Sequence, residues 1–305
     1  MPYFSIIVPT YNHGNFIKRC IDSVLCQSYS DWEMIIVNNY SEDDTIDKIK
    51  AYNDSRIKLI NYRNNGIIAA SRNRGIKEAS GKWICFLDSD DWWYPEKLKV
   101  CFSEIQKEKS DVIYHYLDKY SKKGKNFLSS VYLFRQVKPP VFRDLMLKGN
   151  TIPNSGTCIR RSLIKRAGGL EPNSTLVGVE DYDLLLRLSL LTDRFKYIPC
   201  ALGGYFKGDM NVSSADDKQI NRRLAIYEKH SPLLSKEDQK KAYAFVSIGK
   251  ILIYYKMGRY KDALISCIEA FMAEEIRMKL FAFIVFSPLL ITVVFQDSIF
   301  RKKSI

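Results

Sequence analysis

Between Trp83 and Leu98 the chain reads WICFLDSDDWWYPEKL, an apolar run that breaks into three aspartates and then restarts as a helix. Trp83, Ile84, Cys85, Phe86 and Leu87 are apolar without alternation, the pattern of a strand buried on both faces of a parallel sheet. Asp88, Asp90 and Asp91 then fall at the carboxyl end of that strand, where open α/β sheets bind ligands. Carboxylates this close repel one another unless a cation sits among them, and hard oxygen donors suit Mg2+ or Mn2+. A metal there calls for an anion, with a diphosphate first. The plainer alternative is capping: Asp91 or a neighbour caps the helix that begins near Pro95, whose missing N–H suits a first helical turn.

The segments before this stretch alternate strand and helix. Tyr3 to Val8 is a strand that stops at Pro9, with Pro9, Thr10, Tyr11 and Asn12 as the loop at its carboxyl end. Asn15 caps a helix whose apolar face is Phe16, Ile17, Cys20, Ile21, Val24 and Leu25. Trp32 to Val37 is the second strand, ending in Asn38-Asn39-Tyr40-Ser41; Glu42, Asp43 and Asp44 suit the N-terminus of the helix that follows, to about Tyr52. Ile57 to Asn61 is a third strand, and Gly66 opens a helix that Gly81 closes. Such alternation predicts a doubly wound sheet with right-handed crossovers, whose strand ends share one crevice. Neither G-x-G-x-x-G nor a P-loop occurs, so a dinucleotide fold and a P-loop phosphate site are unsupported.

SIIVPTYN, IIVNNYSEDDT, AASRNRGI, FLDSDDWWYPEKL and GVEDYDLLLRL, in this order and spacing, resemble the family 2 glycosyltransferases over roughly residues 3 to 215. That resemblance implies a GT-A fold: an α/β, Rossmann-like, mostly parallel sheet flanked by helices. It also implies transfer of a sugar, with inversion, from a nucleotide diphosphate donor onto an acceptor hydroxyl. Carried over residue by residue, Pro9, Thr10, Tyr11, Asn12, Asn39 and Arg72 line the nucleoside pocket, Asp88 lies by the ribose, Asp90 binds Mn2+ or Mg2+, and Asp181 is the base. Asn38, Asn39 and Tyr40 stand where the family usually has an aspartate pair and a glycine. An asparagine amide both donates and accepts, so it can meet uracil, guanine or cytosine, with a UDP-sugar the first expectation. No histidine stands in Gly204 to Asp209, where many relatives carry one; Lys207 there is either a diphosphate contact or a surface lysine.

Residues 1–110 form the nucleotide-sugar half of the expected catalytic domain and 111–215 its acceptor half. A strand from Asp111 to His115 leads into a loop or hairpin over Ser121 to Lys125; Thr157 to Arg160 is another strand and Gly168-Gly169 a turn. Gly178 to Leu188 has an acidic start and a strongly apolar continuation, a helix whose first-turn carboxylates ordinarily complement its dipole. Beside a metal site, a carboxylate there also serves to accept the proton of an attacking sugar hydroxyl. Asp181 is the first choice and Glu180 the second, while Asp183 reads as structural.

Residues 216–305 read as an all-helical appendage, with a hairpin of Ala242 to Lys256 and Tyr260 to Ala273. Leu280 to Gln296 carries no charge, is broken by Pro288 and has basic residues on both sides, which predicts a shallow anchor on an anionic membrane surface. A core helix pair is the plainer alternative. An anchored chain would sit peripherally on the cytoplasmic side of the inner membrane, act on a glycan or polyprenyl-linked acceptor and serve surface polysaccharide assembly such as that of lipopolysaccharide O-antigen. The N-terminus shows no signal peptide pattern. The net charge of +13 points to an anionic partner, but no clustered basic face with interleaved aromatics supports nucleic acid. The seven scattered cysteines read as small buried hydrophobes, and His13, His115 and His230 as isolated packing or surface residues. The competing function is a non-catalytic nucleotide-sugar-binding or scaffolding subunit.

Overall fold

All seven residues of β1 (Phe4–Thr10) and of β2 (Trp32–Asn38) are buried, so both strands are covered on their two faces. A sheet of that kind needs helices on both sides. The computed structural model describes residues 1–107, 109–121, 124–125, 135–208 and 216–272. With β3 (Ile57–Asn61) and β4 (Trp83–Phe86), the first strands make a parallel set in the order β3-β2-β1-β4. The crossovers are α1 (Gly14–Leu25), α2 (Thr45–Lys50) and α3 (Ile68–Glu78).

The chain then continues through β5 (Trp92–Trp93), α4 (Lys97–Gln106), β6 (Val112–Ser121), β7 (Gly124–Lys125), α5 (Val141–Lys148), β8 (Thr157–Arg160), α6 (Arg161–Arg166), α7 (Glu180–Ser189) and β9 (Phe195–Phe206). These strands extend the sheet as β4-β8-β6-β9-β5, with β7 on β6. The expected hairpin over Ser121 to Lys125 is the β6–β7 pair. Strand β8 lies antiparallel between β4 and β6, whereas β6 and β9 are parallel. The sheet is therefore mixed and mostly parallel, flanked by helices.

Several local expectations change. Pro9 does not end β1, which runs to Thr10. On its other side β4 pairs with β1 only through Ile7, so the missing N–H of Pro9 deprives no partner there. Asn15 is not the cap of α1: that helix begins at Gly14, whose N–H donates to the Asp43 carboxylate at 2.9 Å. Gly81 is not a left-handed helix end either, because α3 closes in an extended Ala79. Gly81 instead lies against β1, where an added Cβ would meet the Ser5 nitrogen at 2.7 Å. Beside it, Glu33 accepts from the Ser5 and Ser80 hydroxyls and the Ser80 N–H, and pairs with Lys58.

The described residues fall into two compact units: one holds the chain to Phe142 and from Asn150 through β9, the other Arg143–Gly149 and the later helices. Those helices are α8 (Asp217–His230), α9 (Lys236–Lys256) and α10 (Tyr260–Met272). Ser235 caps α9 by accepting from the Asp238 N–H, and α9 packs on α10 through Ile251, Ala263, Cys267 and Ala270. Among the described residues no helix is long and apolar enough to cross a membrane. Leu280 to Gln296 lies outside them.

Candidate active site

The carboxyl ends of β1, β2 and β3 are laced together by asparagines. Asn12, in a left-handed conformation at φ 50, donates its N–H to Ser41 Oγ at 2.9 Å and accepts the Glu42 N–H on Oδ1 at 2.8 Å. Ser41 Oγ donates in turn to Asn38 Oδ1 at 2.6 Å, and Asn38 Nδ2 donates to Asn61 Oδ1 at 2.8 Å. Asn38 is thus an internal strut. Asn39, half-buried, accepts the Asn64 N–H on Oδ1 at 2.9 Å. Tyr11 and Tyr40 are exposed; Pro9 and Thr10 are buried, and Thr10 Oγ1 meets no hydrogen-bond partner among the described residues.

The acidic loop after β4 is fixed from several sides. Asp88 receives Arg72 Nη2 at 2.7 Å and Asn154 Nδ2 at 3.1 Å, while its own N–H donates to Ser155 Oγ at 3.0 Å. Ser155 Oγ donates to Asp91 Oδ2 at 2.6 Å, and Asp91 Oδ1 accepts the Phe206 N–H at 3.2 Å. Asp91 therefore caps no helix: it is buried and ties the loop to β9, and burial, reinforced by the charges of Asp90 and Asp88, pushes its carboxyl well up. The Asp90 carbonyl accepts Arg19 Nη2 at 2.6 Å, and that guanidinium stacks 3.8 Å from the Trp92 ring centre. Burial, then the Asp88 charge, push the Asp90 carboxyl above its ordinary range.

Carboxylates held in mutual repulsion suit a hard divalent cation, which characteristically takes one or two protein carboxylates and fills its shell with water and substrate phosphates. The carboxylate of Asp90 fits such an ion. Among the described residues no cluster of three His, Cys, Asp or Glu forms a ready-made cage.

The first turn of α7 carries Glu180, Asp181 and Asp183. Glu180 is 4% exposed; one of its oxygens accepts from Arg72 Nη1 and the other from the Gly178 N–H. Asp183 is fully buried and pairs with Arg187 at 2.8 Å. Asp181 is half-buried, its Oδ1 accepts the Tyr182 N–H, and it takes part in no salt bridge among the described residues. Burial, then the charge of Glu180, raise its carboxyl to about 7 against the opposing pull of Arg72. Arg72 thus joins the loop after β4 to the start of α7.

Some side chains at this edge carried no signal in the sequence. His13, read as isolated, places Nδ1 2.7 Å from Ser89 Oγ beside the acidic loop. Arg19, Asn154 and Ser155 reach the loop only because the fold brings α1 and the stretch before β8 to it. His115 and His230 are buried, as packing residues are. Lys207 is exposed just past β9, its N–H on the Tyr120 carbonyl. The cysteines are less scattered than their spacing: Cys85 and Cys158 face each other across β4 and β8, and buried Lys97 donates to Cys158 Sγ at 3.2 Å. Cys26 is exposed.

A family model described as glycosyl transferase family 2 matches residues 5–166, more than half of the 305 residues. The Escherichia coli protein named UDP-Glc:alpha-D-GlcNAc-diphosphoundecaprenol beta-1,3-glucosyltransferase WfgD is 41% identical over 110 residues, 36% of this chain and 44% of that protein. The match thus spans less than half of that relative. The putative colanic acid biosynthesis glycosyl transferase WcaA, also from Escherichia coli, is 32% identical over 254 residues, 78% of this chain and 85% of that protein. The crystal structure of Staphylococcus aureus TarS 1–349 in complex with UDP-GlcNAc superposes with a TM-score of 0.63 at 20% identity, covering 91% of this chain and 83% of that one. At that identity the likeness is one of fold.

Proposed function

Because this chain belongs to glycosyl transferase family 2 and has the GT-A fold, we propose that it moves a sugar from a nucleotide diphosphate donor, a UDP-sugar first, onto a hydroxyl of a glycan or polyprenyl-linked acceptor. The proposal extends to inversion by a single in-line displacement and to surface polysaccharide assembly; in support, WcaA is named for colanic acid biosynthesis and WfgD for transfer to a diphosphoundecaprenol-linked sugar. The observation that most supports it is the Arg72 bridge, which sets the acidic end of β4 and the acidic start of α7 on one edge of the sheet.

In this reading Thr10, Tyr11, Asn12 and Asn39, with Pro9 behind them, receive the nucleoside, and Asp88 meets the ribose. Asp90 holds Mn2+ or Mg2+, which supplies neutralisation of the charge that develops on the departing diphosphate. Asp181 accepts the proton of the acceptor hydroxyl as it attacks from the opposite face of the sugar. A carboxyl poised near neutrality suits that work. Arg72, tied to Asp88 and Glu180, supports the pocket from beneath rather than facing the base. Glu180 is the weaker candidate for proton acceptor, since both its oxygens are already engaged. The first unit carries this chemistry, and the chain beyond residue 215, with Leu280 to Gln296, brings it to an anionic membrane surface on the cytoplasmic side of the inner membrane.

Purified protein screened against sugar nucleotides with and without Mn2+ should release nucleoside diphosphate from one donor. Asp90→Asn should abolish that release; a non-catalytic binding subunit would show no release in either form and lose only metal-linked affinity for the donor. Absence of release from every donor, with acceptor extracts supplied, overturns the proposal.

A further inference from the structure

Under the candidate site the buried Arg72 and Glu180 meet the partly exposed carboxylate of Asp88. Arg72, on α3, is 3% exposed and lies between Asp88 and Glu180. A buried ion pair is weak evidence of a stabilising device, since apolar replacements of like volume are often neutral or better. What the triad does is geometric. One end of the guanidinium holds Asp88, at the donor side, with Nη2 at 2.7 Å. The other end holds Glu180, whose second oxygen receives the N–H of Gly178, a residue at φ +87 that leads into α7. The same carboxylate therefore sets both the entry to α7 and its first turn, and Asp181 is the next residue along.

We infer that Arg72 and Glu180 are positioning residues that join donor recognition to acceptor activation: the guanidinium carries the state of Asp88 to the first turn of α7 and so to Asp181. This rests on the function proposed above. When a ribose engages Asp88, that carboxylate is drawn from Arg72 and the guanidinium is left to the acidic start of α7. The charged groups that act on Asp181 are Glu180 on its own helix, Arg72 on α3 and Asp88 after β4.

Two measurements test this. With the donor found in the screen, Glu180→Gln should lower kcat by up to about 10²-fold, with donor KM changed far less. The acidic limb of its pH profile should move to lower pH, because a negative neighbour of Asp181 is gone. Arg72→Lys keeps the charge but not the fork, and should lower kcat and raise donor KM together; the double variant should be little worse than the worse single one. A Glu180→Gln protein that loses only thermal stability, with kcat and pH profile unmoved, overturns the inference, as does one that loses all turnover and the limb itself, which would make Glu180 the base. Independently of catalysis, UDP with Mn2+ should slow amide exchange over residues 178–183 in the wild-type chain and not in Arg72→Lys. If UDP binds and those amides do not respond, the coupling fails even where the transferase function stands; if they respond and no donor turns over, the function fails and the coupling stands.

Discussion

Asp181 shows how a single side chain acquires its character from its surroundings. It shares a helical turn with two other acids; Arg72 and Arg187 pair with Glu180 and Asp183, while burial and the Glu180 charge raise the Asp181 carboxyl to about 7. A base must be deprotonated to work, so kcat/KM should rise with pH through about 7 and level off above it. Removal of the carboxylate as Asp181→Asn should cost about 10²- to 10⁴-fold in kcat with little change in donor affinity, measured by nucleotide release and by calorimetry with the nucleotide. The motif letters pointed to Asp88, Asp90 and Asp181, because carboxylates at a strand end and at a helix start are local patterns. The grip of Arg72 on Glu180 is not local: 108 residues separate them, and only the packing of α3 beside β1 and β2 makes the pair. His13, Arg19 and Ser155 were invisible for the same reason.

At the scale of elements, the βα repeat of the first hundred residues was legible from apolar runs and their punctuation, and β3 and β8 were anticipated to the residue. The direction of β8 was not, since four residues, TCIR, say nothing of which neighbour they will pair with. Polar contacts also moved some boundaries: Asp43 of one βα unit caps the helix of another, which no pattern within α1 announces. The Glu33 network at the opposite end of β2 makes a separate prediction. Burial works to raise that carboxyl, but Lys58 and the hydroxyls and N–H of Ser80 and Ser5 outweigh it and hold it at about 2. A depressed folded-state value contributes stability that is complete above the unfolded value of about 4.3 and is lost as pH falls toward 2. The Glu33 share of thermal stability should therefore be complete from pH 7 to about 5 and shrink below it, so Glu33→Gln, which should cost roughly 2 kcal/mol at pH 7, should cost progressively less as the pH falls toward 2.

For the whole molecule, composition was informative about class and silent about arrangement. A long apolar content and alternating elements implied one large α/β core with a helical companion, and both are present, but nothing in the letters showed that Arg143–Gly149 would group with the later helices. The net charge of +13 and the uncharged stretch from Leu280 to Gln296 support the proposal that the chain works at an anionic lipid surface. A chain ending before Leu280 should then sediment with anionic vesicles several-fold less than the full chain at low salt, and retention of full binding in high salt would count against that segment. The acidic loop leaves β4 near the middle and arrives at β5, which among the described residues pairs only with β9, four places along the strand order. During synthesis the aspartates therefore emerge about a hundred residues before the strand that moors their far end, and a ribosome stalled short of Phe206 should present a nascent chain that does not yet retain nucleotide.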